Sequence, residues 1–255
     1  MLRKSPSLSS WRFEAVDAVR GLAMVWMTVF HFCFDLNHFG YWKQDFYRDP
    51  FWTWQRTLIL SLFLFSAGVG QAVAVAQGQS WTRFWRRWVQ VAGCALLVTL
   101  GSWLMYPQSF IYFGVLHGIA LMLIIARLTA HWGIWLWLLG AVAIAIKFIA
   151  VYALDSGASV QFVDALNGPM LNWLGLITRK PITEDYVPLL PWLGVMWWGV
   201  AAGSWLSGQG AGCLSLKLPV TFKPLARIGR WSLSYYVLHQ PVMIGALMAI
   251  GWLAK

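Results

Sequence analysis

The sequence predicts an all-α membrane protein, a polytopic transmembrane helical bundle of about seven spans. Hydrophobic residues make up 59% of the 255 positions and charged residues only 11%, a balance that excludes a soluble globular domain. The apolar runs are continuous over about 20 residues, whereas the strands of a membrane β-barrel alternate over about ten. We therefore expect a single membrane-embedded domain covering residues 1–255.

Hydropathy and length place the expected spans. They lie at about residues 15–36, 54–76, 84–106, 109–128, 132–153, 187–207 and 231–253. If the N-terminus is cytoplasmic, most loop lysines and arginines lie inside, among them Arg12, Lys217 and Arg230. This bias predicts a cytoplasmic N-terminus, and it accounts for the net charge of +10 without nucleic acid as a partner.

The first span, within residues 14–38, carries ionisable side chains that are rare in lipid. His31 follows Arg20 by 11 residues, about three helical turns and about 16 Å, so both side chains share one helix face. Asp35 and His38 continue this face. The pattern favours a functional site, although Arg20 at a lipid headgroup and His31 hydrogen-bonded within the bundle also fit it.

These side chains suit group transfer. An imidazole beside a carboxylate can take a proton from a hydroxyl or an amine near neutral pH. A buried arginine can hold a phosphate, a carboxylate or a thioester carbonyl. Together they fit transfer from a cytoplasmic donor to an external acceptor.

The second and third spans add small and basic residues. The small residues at 66–70 let another backbone come close, for which helix packing is the commonest reason. The third span begins with a cluster of arginines that either anchors the inner side or binds phosphate: Arg83, Arg86 and Arg87. The cysteines lie on different segments, so neither a disulfide framework nor a metal site is predicted: Cys33, Cys94 and Cys213.

Two later spans contain histidines. His117 is expected near the middle of the fourth span, and His239 about a third of the way across the seventh. A single intramembrane histidine commonly makes a hydrogen bond within a bundle. Two more in a protein that already holds Arg20 and His31 favour a polar interior.

The long external segment 154–186 has an apolar middle that is too short to span the membrane. We expect it to dip into the membrane or to lie on it as a lid. Glu184 and Asp185 follow at the outer mouth of the bundle. With Arg56 and Trp192, they are the residues predicted for the acceptor side.

Several motifs resemble a known family. DAVRGLAMVWMTVFH resembles the Arg-x10-His signature of integral-membrane acyltransferases that modify surface polysaccharides, SLFLFSAG their second-helix pattern and GRWSLSYYVLHQPV their late Ser-Tyr-His-Pro-Val pattern. More closely, DAVRG, FGVLHGIA and DYVPLLPWLGV are similar to the bacterial branch of the heparan-α-glucosaminide N-acetyltransferase catalytic-domain family. The resemblance covers the chain from the first span to the seventh.

The resemblance implies an acyltransferase of the bacterial inner membrane that moves an acetyl or other acyl group from cytoplasmic acyl-CoA to an external sugar or glycan. Acyl-CoA is then a co-substrate, and no bound cofactor is expected. The resemblance is also compatible with a homo-oligomer. His31 matches the motif histidine and Arg20 the motif arginine. His31 would be the general base, assisted by Asp35 or His38, and His38 is the alternative base.

The remaining predicted roles concern the donor. Arg20 would orient acyl-CoA, and His117 and His239 would line the passage for its pantetheine arm. Its nucleotide phosphates would be contacted by Arg83, Arg86 and Arg87. Two other classes of function fit the same residues. One is a proton-coupled transporter or channel. The other is a haem or quinone protein that uses His31, His117 and His239 as ligands.

Overall fold

The structure, a computed structural model, describes residues 13–208 and 218–253. Arg12, Cys213 and Lys217 lie outside the described residues. Seven described helical segments are long and apolar enough to cross a membrane: α1 Glu14–His38, α2 Pro50–Ala76, α3 Trp81–Met105, α4 Val115–Thr129 together with the 3-10 turn Ala130–Trp132 that continues it, α5 Trp135–Gly157, α7 Leu189–Gly208 and α9 Ser232–Leu253. Two are short: α6 Val160–Asn167 and α8 Lys223–Arg230. The predicted all-α bundle with about seven spans is confirmed.

Helices α1 and α9 lie side by side and run in the same direction. The hydroxyl groups of Thr28 and Tyr235 are 2.7 Å apart, and farther along both helices the Gln240 amide donates to Asp35 at 2.8 Å. The order of these contacts is the same on both helices. One wall of the bundle therefore combines residues about 200 positions apart in the chain.

Glycines bring the backbones of α2 and α7 into contact. A Cβ atom on Gly68 would collide with the carbonyl oxygen of Met196, and one on Gly199 with that of Phe65. Leu64 lies fully buried in the core that also contains Met196. The prediction that the small residues of the second span admit another backbone is confirmed.

Helix α8 packs in the same way against the beginning of α1. A Cβ on Gly21 would collide with the carbonyl oxygen of Leu225, and one on Gly229 with that of Asp17. Arg230 pairs with the carboxylate of Glu14 at 3.2 Å. This end of the bundle, which the predicted orientation places in the cytoplasm, is called the inner end below, and the opposite one the outer end.

At the outer end, residues 109–113 pair with residues 183–187. Thr183 donates to the carbonyl of Phe110 at 2.8 Å, and the amide of Val187 to that of Phe113 at 3.1 Å. The fourth spanning helix consequently begins at Val115 and not at residue 109. His117 therefore lies in its first turn, and the prediction that it lies near the middle of the span is wrong.

The external segment 154–186 contains two short helical pieces, α6 and the 3-10 turn Asn172–Leu174. Asn172 is buried and donates to the hydroxyl of Tyr112 at 2.7 Å. The part of the segment after these pieces runs along the outer end of the bundle and forms one side of the cavity described next.

Candidate functional site

A cavity of about 580 Å³ occupies the outer half of the bundle. Its walls come mainly from α1, α2, α3, α7, α9 and residues 180–188, with further contributions from the loop after α1, from residues 106–115 and from Lys147 on α5. The volume lies in the range of small-molecule sites, which are mostly apolar with a few converging polar groups. The lining contains all the residues predicted for catalysis and for the acceptor side: His31, Asp35, His38, Arg56, Glu184, Asp185 and Trp192. It also contains His239, which was predicted to contact the donor, and Gln240, for which no role was predicted.

Two histidines meet in the wall that α1 and α9 share. The ring centroids of His31 and His239 are 5.3 Å apart. Nδ1 of His239 lies 2.7 Å from the carbonyl oxygen of Tyr236, so that nitrogen donates a proton to it. Nε2 of His239 is then the acceptor nitrogen of a neutral ring, and it is buried without a hydrogen-bond partner in the part of the chain that the structure describes.

Asp35 lies next to this pair and is only 3% exposed. Its Oδ1 accepts from the side chain of Gln240, whereas Asp35 Oδ2 and Gln240 Oε1 have no partner among the described residues. Buried polar atoms without partners are rare because they lose water without compensation. With Nε2 of His239 they mark a position where a polar ligand would bind.

The direct support of His31 by Asp35, which the spacing predicts, is not seen. The part of the chain that the structure describes shows no hydrogen bond between these two side chains, because the carboxylate points to Gln240 on α9. His38 is exposed at the end of α1, with its ring 6.3 Å from that of Tyr106. His31 thus lies deep in the cavity and His38 lies at its mouth.

Arg20 does not line the cavity. Its guanidinium lies 3.5 Å from the carboxylate of Asp17 and donates to the carbonyl of Ser66 at 3.3 Å. The α1 residue nearest to Arg20 that does line the cavity is Met27. Met24, which is fully buried, lies between the two. The helix face that Arg20 shares with His31 therefore does not open into one cavity in this conformation, because the buried side chain of Met24 fills the space between them.

His117 also lies outside the cavity lining. The amide of Gly114 donates to its Nδ1 at 3.3 Å, and its Nε2 lies 3.0 Å from the hydroxyl of Thr99. Thr99 in turn donates to the carbonyl of Ile111 at 2.7 Å. Both ring nitrogens are thus engaged in fixing the start of α4, and neither is available to a haem iron or a substrate here.

The predicted phosphate-binding arginines are exposed on the first two turns of α3, outside the cavity lining: Arg83, Arg86 and Arg87. A second pocket, of about 210 Å³, lies at the inner end and is lined by Glu14, Lys223, Ala226, Arg227 and Arg230. The sequence interpretation did not single out this basic pocket. The spacing of Lys223, Arg227 and Arg230 on one face of α8 would have indicated it.

The acceptor-side residues are brought together at the mouth of the large cavity. Asp185 accepts a hydrogen bond from the amide of Val115 at 2.7 Å. Burial raises the pKa of Asp185, while the hydrogen bond from Val115 and the charge of Lys180 act in the opposite direction. The pKa of Lys180 is lowered, mainly by burial and secondly by Arg56. Carboxylates and cations therefore lie close together where a polar acceptor would enter.

The sequence interpretation gave no role to Lys147. It lies in the middle of α5, is half-buried and lines the cavity. Within the described residues its ammonium group has no carboxylate partner. A lysine inside a spanning helix is itself the indication that could have identified it, because such residues are costly there.

Comparison with known proteins gives one match. A family model described as "Heparan-alpha-glucosaminide N-acetyltransferase, catalytic" matches residues 12–241. The matched stretch contains the cavity wall with His31, Asp35, His239 and Gln240. No curated protein and no solved structure matches the chain.

Proposed function

The chain belongs to the heparan-α-glucosaminide N-acetyltransferase catalytic-domain family, and from this premise we propose that it acetylates an external sugar or glycan with cytoplasmic acetyl-CoA. The family and the seven spanning helices make it a multi-pass membrane acetyltransferase. The bacterial inner membrane is the proposed location. The observation that carries the proposal is the cavity wall of His31, Asp35, His239 and Gln240, in which buried polar atoms have no hydrogen-bond partner among the described residues.

In the proposed reaction, His31 takes the proton from a hydroxyl or amine of the acceptor. The freed oxygen or nitrogen attacks the thioester carbon, and the carbon–sulfur bond breaks as the acetyl bond to the acceptor forms. The departing thiolate takes the proton from the imidazolium and leaves as the CoA thiol. Nε2 of His239 and Oδ2 of Asp35 are proposed to hold further acceptor hydroxyls, because both accept hydrogen bonds and lack partners.

The donor is proposed to approach from the inner end. Arg20 would orient it, and the exposed cations Lys223 and Arg227, which line the small inner pocket, are proposed to contact its phosphates in place of the arginines of α3. The pantetheine arm would then have to pass Met24 and Met27 to reach the cavity. Methionine side chains are flexible and repack readily, so we propose that they move aside when the donor binds.

Release of the CoA thiol tests the proposal. Purified protein in nanodiscs would receive acetyl-CoA with each of several sugars, including methyl α-glucosaminide. We expect thiol release that depends on the sugar, its loss in His31→Ala, and a normal rate in His131→Ala, which removes a histidine outside the cavity. Full activity in His31→Ala together with loss in His38→Ala would transfer the base to His38. Solute uptake without thiol release would favour a transporter.

A further inference from the structure

One face of α3 lines the large cavity without being covered. The cavity-lining positions recur at helical spacing: Leu97, Val98, Gly101, Ser102 and Met105. Leu97 is 59% exposed and Met105 53% exposed although both line a cavity. This stretch is about 12 Å long. The cavity wall along it is therefore also the surface of the bundle.

Helix α9, a neighbour of α3, forms the other side of this opening. Val237, Pro241 and Ile244 line the cavity from one face of α9. Among the described residues of α9, Leu247 is the one that is buried. The cavity-lining faces of α3 and α9 therefore border the cavity at a level where the side chains of two packed helices would otherwise interlock. We call this opening the α3–α9 window.

The position of the window decides what it opens to. Both helices are membrane-spanning, and the lining residues of α3 lie in its outer half, so the window faces the hydrocarbon of the outer leaflet. Its borders are mainly apolar, whereas the same cavity is also lined by His31, Asp35 and Lys147, whose ammonium has no carboxylate partner among the described residues. The cavity is therefore apolar at its side and polar inside.

An acceptor of matching chemistry is an amphiphile. We propose that the acceptor is a sugar joined through phosphate to a hydrocarbon chain, which enters from the outer leaflet while its chain remains in the α3–α9 window. The sugar reaches His31, and Lys147, a cation without a carboxylate partner in the described chain, holds the phosphate. A water-soluble sugar needs no such opening. The inference rests on the proposed function and specifies its substrate class.

Gly101 provides the test because it lies in the window, and a Cβ there would have no heavy atom within 4 Å. Gly101→Trp should therefore narrow the window without disturbing the packing. Gly93→Trp is the matched control, since Gly93 lies on the same helix with equally open surroundings but outside the cavity lining. Both variants would be compared in nanodiscs with two acceptors, polyprenyl-phosphate-linked glucosamine and methyl α-glucosaminide.

We expect kcat/KM for the lipid-linked acceptor to fall by at least about tenfold in Gly101→Trp and to stay unchanged in Gly93→Trp. Transfer to methyl α-glucosaminide should be the same in both variants and in the parent protein. Lys147→Met should raise KM for the lipid-linked acceptor alone. An equal loss of activity with both acceptors in Gly101→Trp would overturn the proposal that the lipid-linked acceptor enters through the α3–α9 window.

Two outcomes separate this inference from the function on which it rests. Transfer by the parent protein to methyl α-glucosaminide but never to the lipid-linked sugar would overturn the substrate class and keep the acetyltransferase. Absence of CoA thiol release with either acceptor would overturn the proposed function, and the inference with it.

Discussion

The two halves of α1 are built for different purposes. Its inner half is closed: α8 lies against Gly21, and Arg20 is held between the carboxylate of Asp17 and the carbonyl of Ser66. Its outer half borders a cavity of about 580 Å³. There, buried polar atoms beside His31 have no partner within the described residues. One helix thus combines a closely packed inner half with an outer half that lines a cavity.

The difference shows that polar residues on one helix face need not form one site. Arg20 and His31 share an azimuth, yet the guanidinium of Arg20 contacts Asp17 and Ser66 whereas His31 lines the cavity. Polar groups that have hydrogen-bond partners stabilise a fold, whereas buried polar groups without partners carry a free-energy cost that a bound ligand can offset. We therefore expect substitutions in the outer half to affect catalysis and those in the inner half to affect folding or donor affinity.

The largest effect should come from the histidine pair. His31→Ala should lower kcat by about 10²–10⁴-fold, the usual contribution of a positioned acid or base. His239→Ala should lower kcat by a smaller factor, because it removes a group proposed to hold the acceptor. The double variant should be little slower than the slower single variant, because the two rings would act as a unit. Steady-state kinetics of the four proteins measures this. Strictly additive losses would contradict joint action.

A smaller loss is expected at the carboxylate. Gln240→Leu removes the amide that donates to Asp35 and leaves a buried carboxylate unpaired. A hydrogen bond to a charged group contributes about 1.5–3 kcal/mol, so kcat/KM should fall by about tenfold to a hundredfold. Gln90→Leu, at an exposed position on α3, is the control. Unchanged kinetics in Gln240→Leu would show that Asp35 has no part in the reaction.

A substitution in the inner half of α1 should lower the stability of the protein. Gly21→Val places a side chain against the backbone of Leu225, so it should cost about 1–3 kcal/mol or more in the free energy of unfolding. Gly93→Val meets no heavy atom within 4 Å of its Cβ and should cost much less. Thermal unfolding in nanodiscs compares the two. Equal midpoints would contradict the close packing of α8 on α1.

The smallest effect is expected at the inner pocket. Lys223→Ala and Arg227→Ala should each raise KM for acetyl-CoA by about twofold to fivefold, since exposed charges contribute at most about 1 kcal/mol. The effect should shrink at high salt. Lys43→Ala, at an exposed position outside both pockets, serves as the control. A KM that is unchanged at low salt would place the phosphates elsewhere.

The spanning helices were predictable because a bilayer allows few alternatives to long apolar helices. The depth of His117 could not be predicted, because residues 109–114 are as apolar and aromatic as a spanning helix, although residues 109–113 pair with residues 183–187. Helical spacing gave the shared face of Arg20 and His31. It could not show that Met24 fills the space between them, because spacing does not reveal which neighbour packs on a face.

The approach of His239 to His31 was equally hidden. The distance between the two rings depends on the level along α1 at which α9 begins. Because α9 follows α8 directly, the close packing of α8 on α1 at Gly21 and Gly229 determines that level. Gln240 was missed for the same reason. Its importance arises from the register of two helices that lie far apart in sequence.

That register has a consequence for biosynthesis. The contact between Asp35 and Gln240 joins positions separated by 205 residues, so α1 enters the membrane long before its partner is translated. A nascent chain lacking α9 has only half of the histidine wall. Both halves of the proposed site are therefore present only after α9 has been synthesised, and we expect unfinished chains to be inactive.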